Sequence, residues 1–143
     1  MRRIAVRAII ADGDKLLLVK LKTENGTLDY YCTIGGGLDD SEGLLDGVKR
    51  EVLEETGVVA QLGRLLCIQQ YTDKHDNVEF FFHVTNTDDF KNINLIETSH
   101  GEIEIAEIGF FNPKELTVLP EFLKELSVEE LINSKEVQIF NYF

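Results

Sequence analysis

The chain has 143 residues, 43% of them hydrophobic, and a formal charge of −12 at pH 7. That length suits one domain, able to bury roughly two-thirds of its unfolded surface, and the composition is not that of a disordered segment. The acidity argues against a binder of long nucleic acid, which presents a basic patch, but not against a nucleotide, because bound Mg2+ supplies positive charge locally.

Residues Arg3 to Ala11 read as a strand, Asp12-Gly13-Asp14 as a turn, and Lys15 to Lys22 as a second strand. Thr23 to Asp29, with Asn25-Gly26, reads as a loop, and Tyr30 to Ile34 as a short strand leading into Gly35-Gly36-Gly37. Asp39, Asp40 and Ser41 offer N-cap chemistry for a helix that ends near Thr56, with Gly57 where a left-handed C-terminal residue is wanted. Leu45, Val48 and Val52 give that helix a core side. Val58 to Tyr71 reads as a long strand or a bent pair around Gly63, Thr72 to Asn77 as a polar turn, and Val78 to Thr85 as a strand with three phenylalanines in a row.

Thr87 to Gly101 is polar and irregular, and Ile103 to Phe111 reads as another strand. Pro113 opens a short helix, Glu121 to Ser134 has helical periodicity, and Val137 to Phe143 is an apolar tail, docked on the core or open to a partner such as a second copy. The order of elements fits an α+β domain with a mixed sheet. No apolar segment approaches the roughly 20 residues of a bilayer span, and no signal-peptide pattern opens the chain, so a cytoplasmic protein is expected. Cys32 and Cys67 lack metal-site spacing and read as free thiols.

The most informative residues are Glu51, Glu54 and Glu55, which fall on one strip of the helix. Like charges at that spacing cost an isolated helix a few tenths of a kcal/mol per pair, and a cation reverses the sign. Carboxylate oxygens are hard ligands suited to Mg2+ or Mn2+. Alone, such a triplet is an ordinary solvated face. Here Arg50 offers a planar fork beside it, and the triple glycine allows close backbone approach to a ligand.

The run Gly36-x5-Glu42-x7-Arg50-Glu51-Val52-x-Glu54-Glu55-x-Gly57-Val58 resembles the Nudix box, and every specified position is met. Around it the chain departs from the family's common pattern, with Ile34 before the glycines, Asp39 for a Glu and Ser41 for a Gly. The resemblance implies a single Nudix domain over residues 1–143, folded as an α/β/α sandwich. It implies Mg2+-dependent hydrolysis of the pyrophosphate bond of a nucleoside diphosphate linked to another moiety, with Mn2+ as a possible substitute.

By that similarity Glu54 and Glu55 are metal ligands, and Glu51 is a ligand and a candidate base, although a loop carboxylate takes the base role in some relatives. Arg50 holds the acid strip, Glu42 and Gly57 are structural, Gly35 lends a backbone carbonyl to the metal, and Gly36 and Lys20 lie by the substrate. Glu104 to Phe111 resembles the family's E-x5-W stretch with Phe110 for Trp, so Glu104 is the preferred fourth carboxylate, ahead of Glu102 and Glu97. Tyr30, Tyr31, Tyr71 and Phe80 to Phe82 include candidate base-stacking rings, each more often core. His75, His83 and His100 receive no role. The alternative from another class is a Nudix-like domain that binds a nucleotide without hydrolysing it. Nucleoside triphosphates, ADP-ribose, other nucleotide sugars, dinucleoside polyphosphates and capped RNA ends all remain open as substrates.

Overall fold

The computed structural model describes residues 2–142, so Met1 and Phe143, the ends of the basic N-terminus and the apolar tail, lie outside the described residues. In chain order the strands are β1 (Arg2–Ile9), β2 (Ala11–Asp12), β3 (Lys15–Thr23), β4 (Gly26–Thr27), β5 (Gly35–Gly37), β6 (Leu62–Thr72), β7 (Asp76–Val84), β8 (Ile105–Phe111) and β9 (Gln138–Tyr142). The helices are α1 (Leu44–Thr56), α2 (Gly101–Glu104), α3 (Phe122–Glu125) and α4 (Val128–Asn133). One sheet runs β5-β1-β7-β6-β9; β1 lies parallel to β7 and β9 parallel to β6, while the other pairs are antiparallel. The second sheet joins β2, β3 and β4, with β8 antiparallel on β3.

The row of phenylalanines explains the layering. Alternate residues of a strand point to opposite faces, so Phe80 and Phe82 enter the cluster that holds Val48 and Val52 of α1. Phe81 enters the opposite cluster, with Phe122 and Leu123 of α3 and Val128 and Leu131 of α4. With helices on both faces the domain is an α/β/α sandwich, and a sheet covered twice accounts for consecutive apolar residues.

Several expectations need correction. The short strand lies at Gly35–Gly37, not at 30–34, where Tyr31 and Cys32 make only isolated bridges. A glycine tract fits there because it lies flat on β1: a Cβ on Gly35 would run into the Val6 carbonyl. The N-cap of α1 is Gly43, without a side-chain cap, because the preceding acids form a turn in which Glu42 N–H donates to the Asp39 carbonyl. Leu45 is half exposed rather than core. The expected strand at Ile103 begins only at Ile105, after the helical turn of α2. The helical stretch after Glu121 is broken at Leu126 and Ser127, where Ser127 Oγ accepts from Glu130 N–H at 3.0 Å and restarts the helix. The apolar tail forms β9, docked on the edge of β6 with the Phe140 ring stacked on Phe122 at 4.2 Å between centroids. Cys32 and Cys67 are buried and free.

Candidate active site

Helix α1 carries the acid strip along the edge of its buried face, and the glycine strand passes over it. Gly57 ends the helix at φ 74°, its N–H donating to the Leu53 carbonyl. Gly36 lies directly against the strip: a Cβ there would sit 2.8 Å from Glu51 Oε1, so that carboxylate would have to shift. Gly35 N–H donates to Glu55 Oε2 at 3.2 Å. Strand β5 and the strip therefore define one shallow surface of carboxylate and backbone.

Arg50 organises this surface. Its guanidinium meets Glu42 through Nε at 2.8 Å and Nη2 at 2.9 Å, and Nη1 donates to Glu51 Oε1 and Glu54 Oε2, each at 3.1 Å. Nη2 also reaches the Gly37 carbonyl at 3.2 Å, and Asp39 adds an ion pair at 3.2 Å. The Arg50 bonds, with the Asp39 amide donating to its carboxylate, hold Glu42 down at about 2.

Glu55 is the opposite case. It is 3% exposed, and burial first, then the Glu51 charge, pushes its carboxyl up to about 8. Burial also pushes Glu51 upward, against the pull of Arg50. Among the described residues no three such side chains converge into a ready cage for an ion. The donor set nonetheless fits a hard dication. Glu42, Glu51, Glu54 and Asp39 all lean on the single Arg50, and burial and the Glu51 charge raise the Glu55 carboxyl, so the strip favours the further positive charge that a divalent cation supplies.

The segment after residue 97 docks on the C-terminal end of α1. His100 N–H donates to the Glu54 carbonyl at 2.9 Å, and His100 Nδ1 lies 4.0 Å from Glu54 Oε2. Glu104 is exposed on α2, and its charge contributes to the rise at Glu55. Glu102 and Glu97 are exposed on α2 and on the 3-10 turn Leu95–Glu97, and the Glu102 carbonyl accepts from Lys22. Because α2 is helical, Glu102 and Glu104 do not share a strand face. Lys20 is not brought to the acid strip: it pairs with Glu107 in the β3–β8 ladder and its ammonium sits 5.4 Å from the Tyr31 ring centroid.

Sequence reasoning missed a cavity of about 460 Å3 floored by the polar end of the five-stranded sheet. Glu79, 3% exposed, accepts from Arg7 Nε at 3.2 Å and from Gln69 Nε2 at 2.7 Å. Burial works against the Arg7 charge, but Glu79, Cys32 and Glu55 together outweigh it, so the Arg7 pKa rises. Arg7 Nη1 also donates to the Thr33 carbonyl at 3.1 Å. The Arg7 charge pulls the Glu55 carboxyl back downward, which ties this cavity to the acid strip. Thr33 lines the cavity and is 1% exposed, and its Oγ1, closed off from solvent, has no hydrogen-bond partner among the described residues. Tyr30, Tyr71 and Tyr142 line the same cavity, whereas Tyr31 packs on Phe111 and Phe80 to Phe82 belong to the core. The available signal was charge inside apolar strands, Arg7 in β1 and Glu79 in β7.

Comparison with known proteins places this geometry. A NUDIX domain family model matches residues 1–131. No curated protein matches the chain. Among solved structures, a UDP-X diphosphatase is similar at 23% identity and TM-score 0.73, over 98% of this chain and 67% of that one. A MutT protein from Methanosarcina mazei Go1 is similar at 19% identity and TM-score 0.71, over 94% and 96%. An ADP-ribose pyrophosphatase from Streptococcus suis is similar at 23% identity and TM-score 0.59, over 96% and 98%. At these identities the solved structures carry the fold.

Proposed function

The chain belongs to the NUDIX domain family, the family of the Nudix hydrolases, and from that premise we propose that it hydrolyses the pyrophosphate bond of a nucleoside diphosphate linked to another moiety, with Mg2+ or Mn2+ as cofactor. The observation that carries this reading is the complete box folded as a unit, with Arg50 tying Glu42, Glu51 and Glu54 together beside the buried Glu55. Glu51, Glu54 and Glu55 are the residues that hold the cation, with Glu104, whose charge is felt at Glu55, as a further carboxylate and the Gly35 carbonyl as a backbone ligand. A divalent cation there supplies charge neutralisation for the phosphates and activation of a water.

The chain's own residues do the rest. Arg50 keeps the carboxylates in register, Gly36 leaves room for Glu51 against the loop, and Glu51 is the candidate base. The cavity beside Arg7 takes the nucleoside end. Its volume lies within the roughly 300–1,000 Å3 of small-ligand sites, with an apolar lining and a few convergent polar groups. MutT-type nucleoside triphosphates, ADP-ribose and UDP-linked compounds are the classes to test first, and two buried free thiols suit a reducing cytoplasm.

The test is a panel of such diphosphates with Mg2+ and Mn2+, with products identified by mass. At least one is cleaved by the wild type, and Glu54→Gln lowers that turnover by more than the roughly 10–100-fold typical of residues one layer behind a metal ligand. Undiminished turnover in the variant sinks the assignment. Tight nucleotide binding with no product across the panel marks a non-hydrolysing nucleotide binder instead.

A further inference from the structure

We infer that Tyr142, on the terminal strand β9, is a specificity-determining residue: its ring, beside that of Tyr71, stacks on the base of the bound nucleotide, while Gln69 meets the polar edge of that base. This rests on the function proposed above, and it concerns a segment outside the family match, which ends at residue 131.

Three observations converge. The chain has four tyrosines and no tryptophan, and three of the tyrosines line one cavity. Tyr71 and Tyr142 are register partners on the parallel strands β6 and β9, so their side chains emerge side by side on one face. The strand is fixed two residues earlier by the Phe140–Phe122 stack, with ring planes 5° apart, so Tyr142 is held at the cavity and remains 36% exposed.

The floor supplies the complementary chemistry. Glu79 is occupied by Arg7 and Gln69. Gln69 spends Nε2 on Glu79, and its Oε1 makes no bond to protein among the described residues. A flat aromatic ligand with hydrogen-bonding groups on its edge uses the tyrosine pair and the free Gln69 carbonyl, and a nucleobase has that chemistry.

Equilibrium titration tests this without turnover. The probes are AMP, GMP, CMP and UMP against ribose 5-phosphate in Mg2+, each with the wild type, Tyr142→Ala, Tyr142→Leu and Tyr142→Phe. The wild type binds at least one nucleotide more tightly than ribose 5-phosphate. Tyr142→Ala and Tyr142→Leu lose about 5- to 100-fold for that nucleotide, the range for loss of one base–aromatic stack, and Tyr142→Phe stays within about twofold. Ribose 5-phosphate affinity and the melting temperature of the leucine variant are unchanged. Equal nucleotide affinity in wild type and Tyr142→Ala overturns the inference. So does a parallel loss for ribose 5-phosphate, or a wild type that gains nothing from any base. A protein that binds through Tyr142 yet cleaves no diphosphate overturns the hydrolytic reading alone, and an active protein indifferent to Tyr142 overturns this inference alone.

Discussion

At the scale of single residues, Arg50 is the test of whether the box is a site or a surface. An exposed ion pair is worth under about 1 kcal/mol, but Arg50 serves Glu42, Glu51 and Glu54 at once. Lysine is a point charge on a flexible stem and cannot reproduce that planar fork. Arg50→Lys is expected to lose on the order of 10-fold or more in kcat, since a misplacement of about 1 Å can cost 100-fold, with little change in circular dichroism; wild-type kcat would show that the strip needs no organiser. Gly36→Ala aims at the same carboxylate from the loop side, because its Cβ would arrive 2.8 Å from Glu51 Oε1. It should weaken Mg2+ in calorimetric titration more than it lowers the melting temperature, and an unchanged metal affinity would count against Glu51 as a ligand. The letters of the box were legible because seven of its ligands and braces lie within one turn-and-helix unit at fixed spacing. Arg7, Thr33, Gln69, Glu79 and Tyr142 were not, because the cavity is assembled across separate segments of the chain and no spacing relates them.

At the scale of elements, helix α1 was readable from its period and its Gly57 stop, and the strands of the core from their runs of Val, Ile, Leu and Phe. What failed were elements whose existence depends on a neighbour. Gly35–Gly37 has loop composition and becomes a strand only by lying on β1. Residues 102–104 alternate acid and isoleucine, yet His100 and Gly101 start a helical turn there, anchored by the His100 N–H bond to Glu54. The composition of the tail allows two fates, because an edge strand five residues long is decided by what it meets. Phe140 decides it, through its stack on Phe122. Phe140→Ala is expected to cost about 2 kcal/mol, below the roughly 3–5 kcal/mol of a fully buried phenylalanine because the ring is only partly covered. Amide exchange should accelerate in residues 138–142 while the β1–β7 ladder stays protected. Uniform acceleration across both ladders would show that β9 is no separate unit of stability.

At the scale of the whole molecule, a formal charge of −12 means that every added negative charge is felt as self-repulsion. Two carboxyls set the pH response from opposite sides. Glu42 has its pKa depressed to about 2 in the fold, so its contribution is present above the ordinary carboxylate range and is lost as pH falls toward 2. Glu55 has its pKa raised to about 8, so the folded state binds the extra proton between about 4.5 and 8, and stability falls as pH rises through that window. At about 1.4 kcal/mol per pKa unit the Glu55 loss is on the order of a few kcal/mol. With a chelator present, the melting temperature should therefore fall from pH 5.5 to pH 8.5, and Glu55→Gln, which has no proton to lose, should flatten the slope. A dication needs the deprotonated carboxylate, so its binding competes with that proton and strengthens with pH. Mg2+ should raise the melting temperature more at pH 8.5 than at pH 6, because a ligand that binds only the folded state stabilises it in proportion to its occupancy. In Glu55→Gln that pH dependence of the Mg2+ effect should shrink to what Glu51, also raised by burial, contributes. Parallel wild-type and variant curves, with and without Mg2+, would remove Glu55 from the metal site and leave it a buried acid of the core.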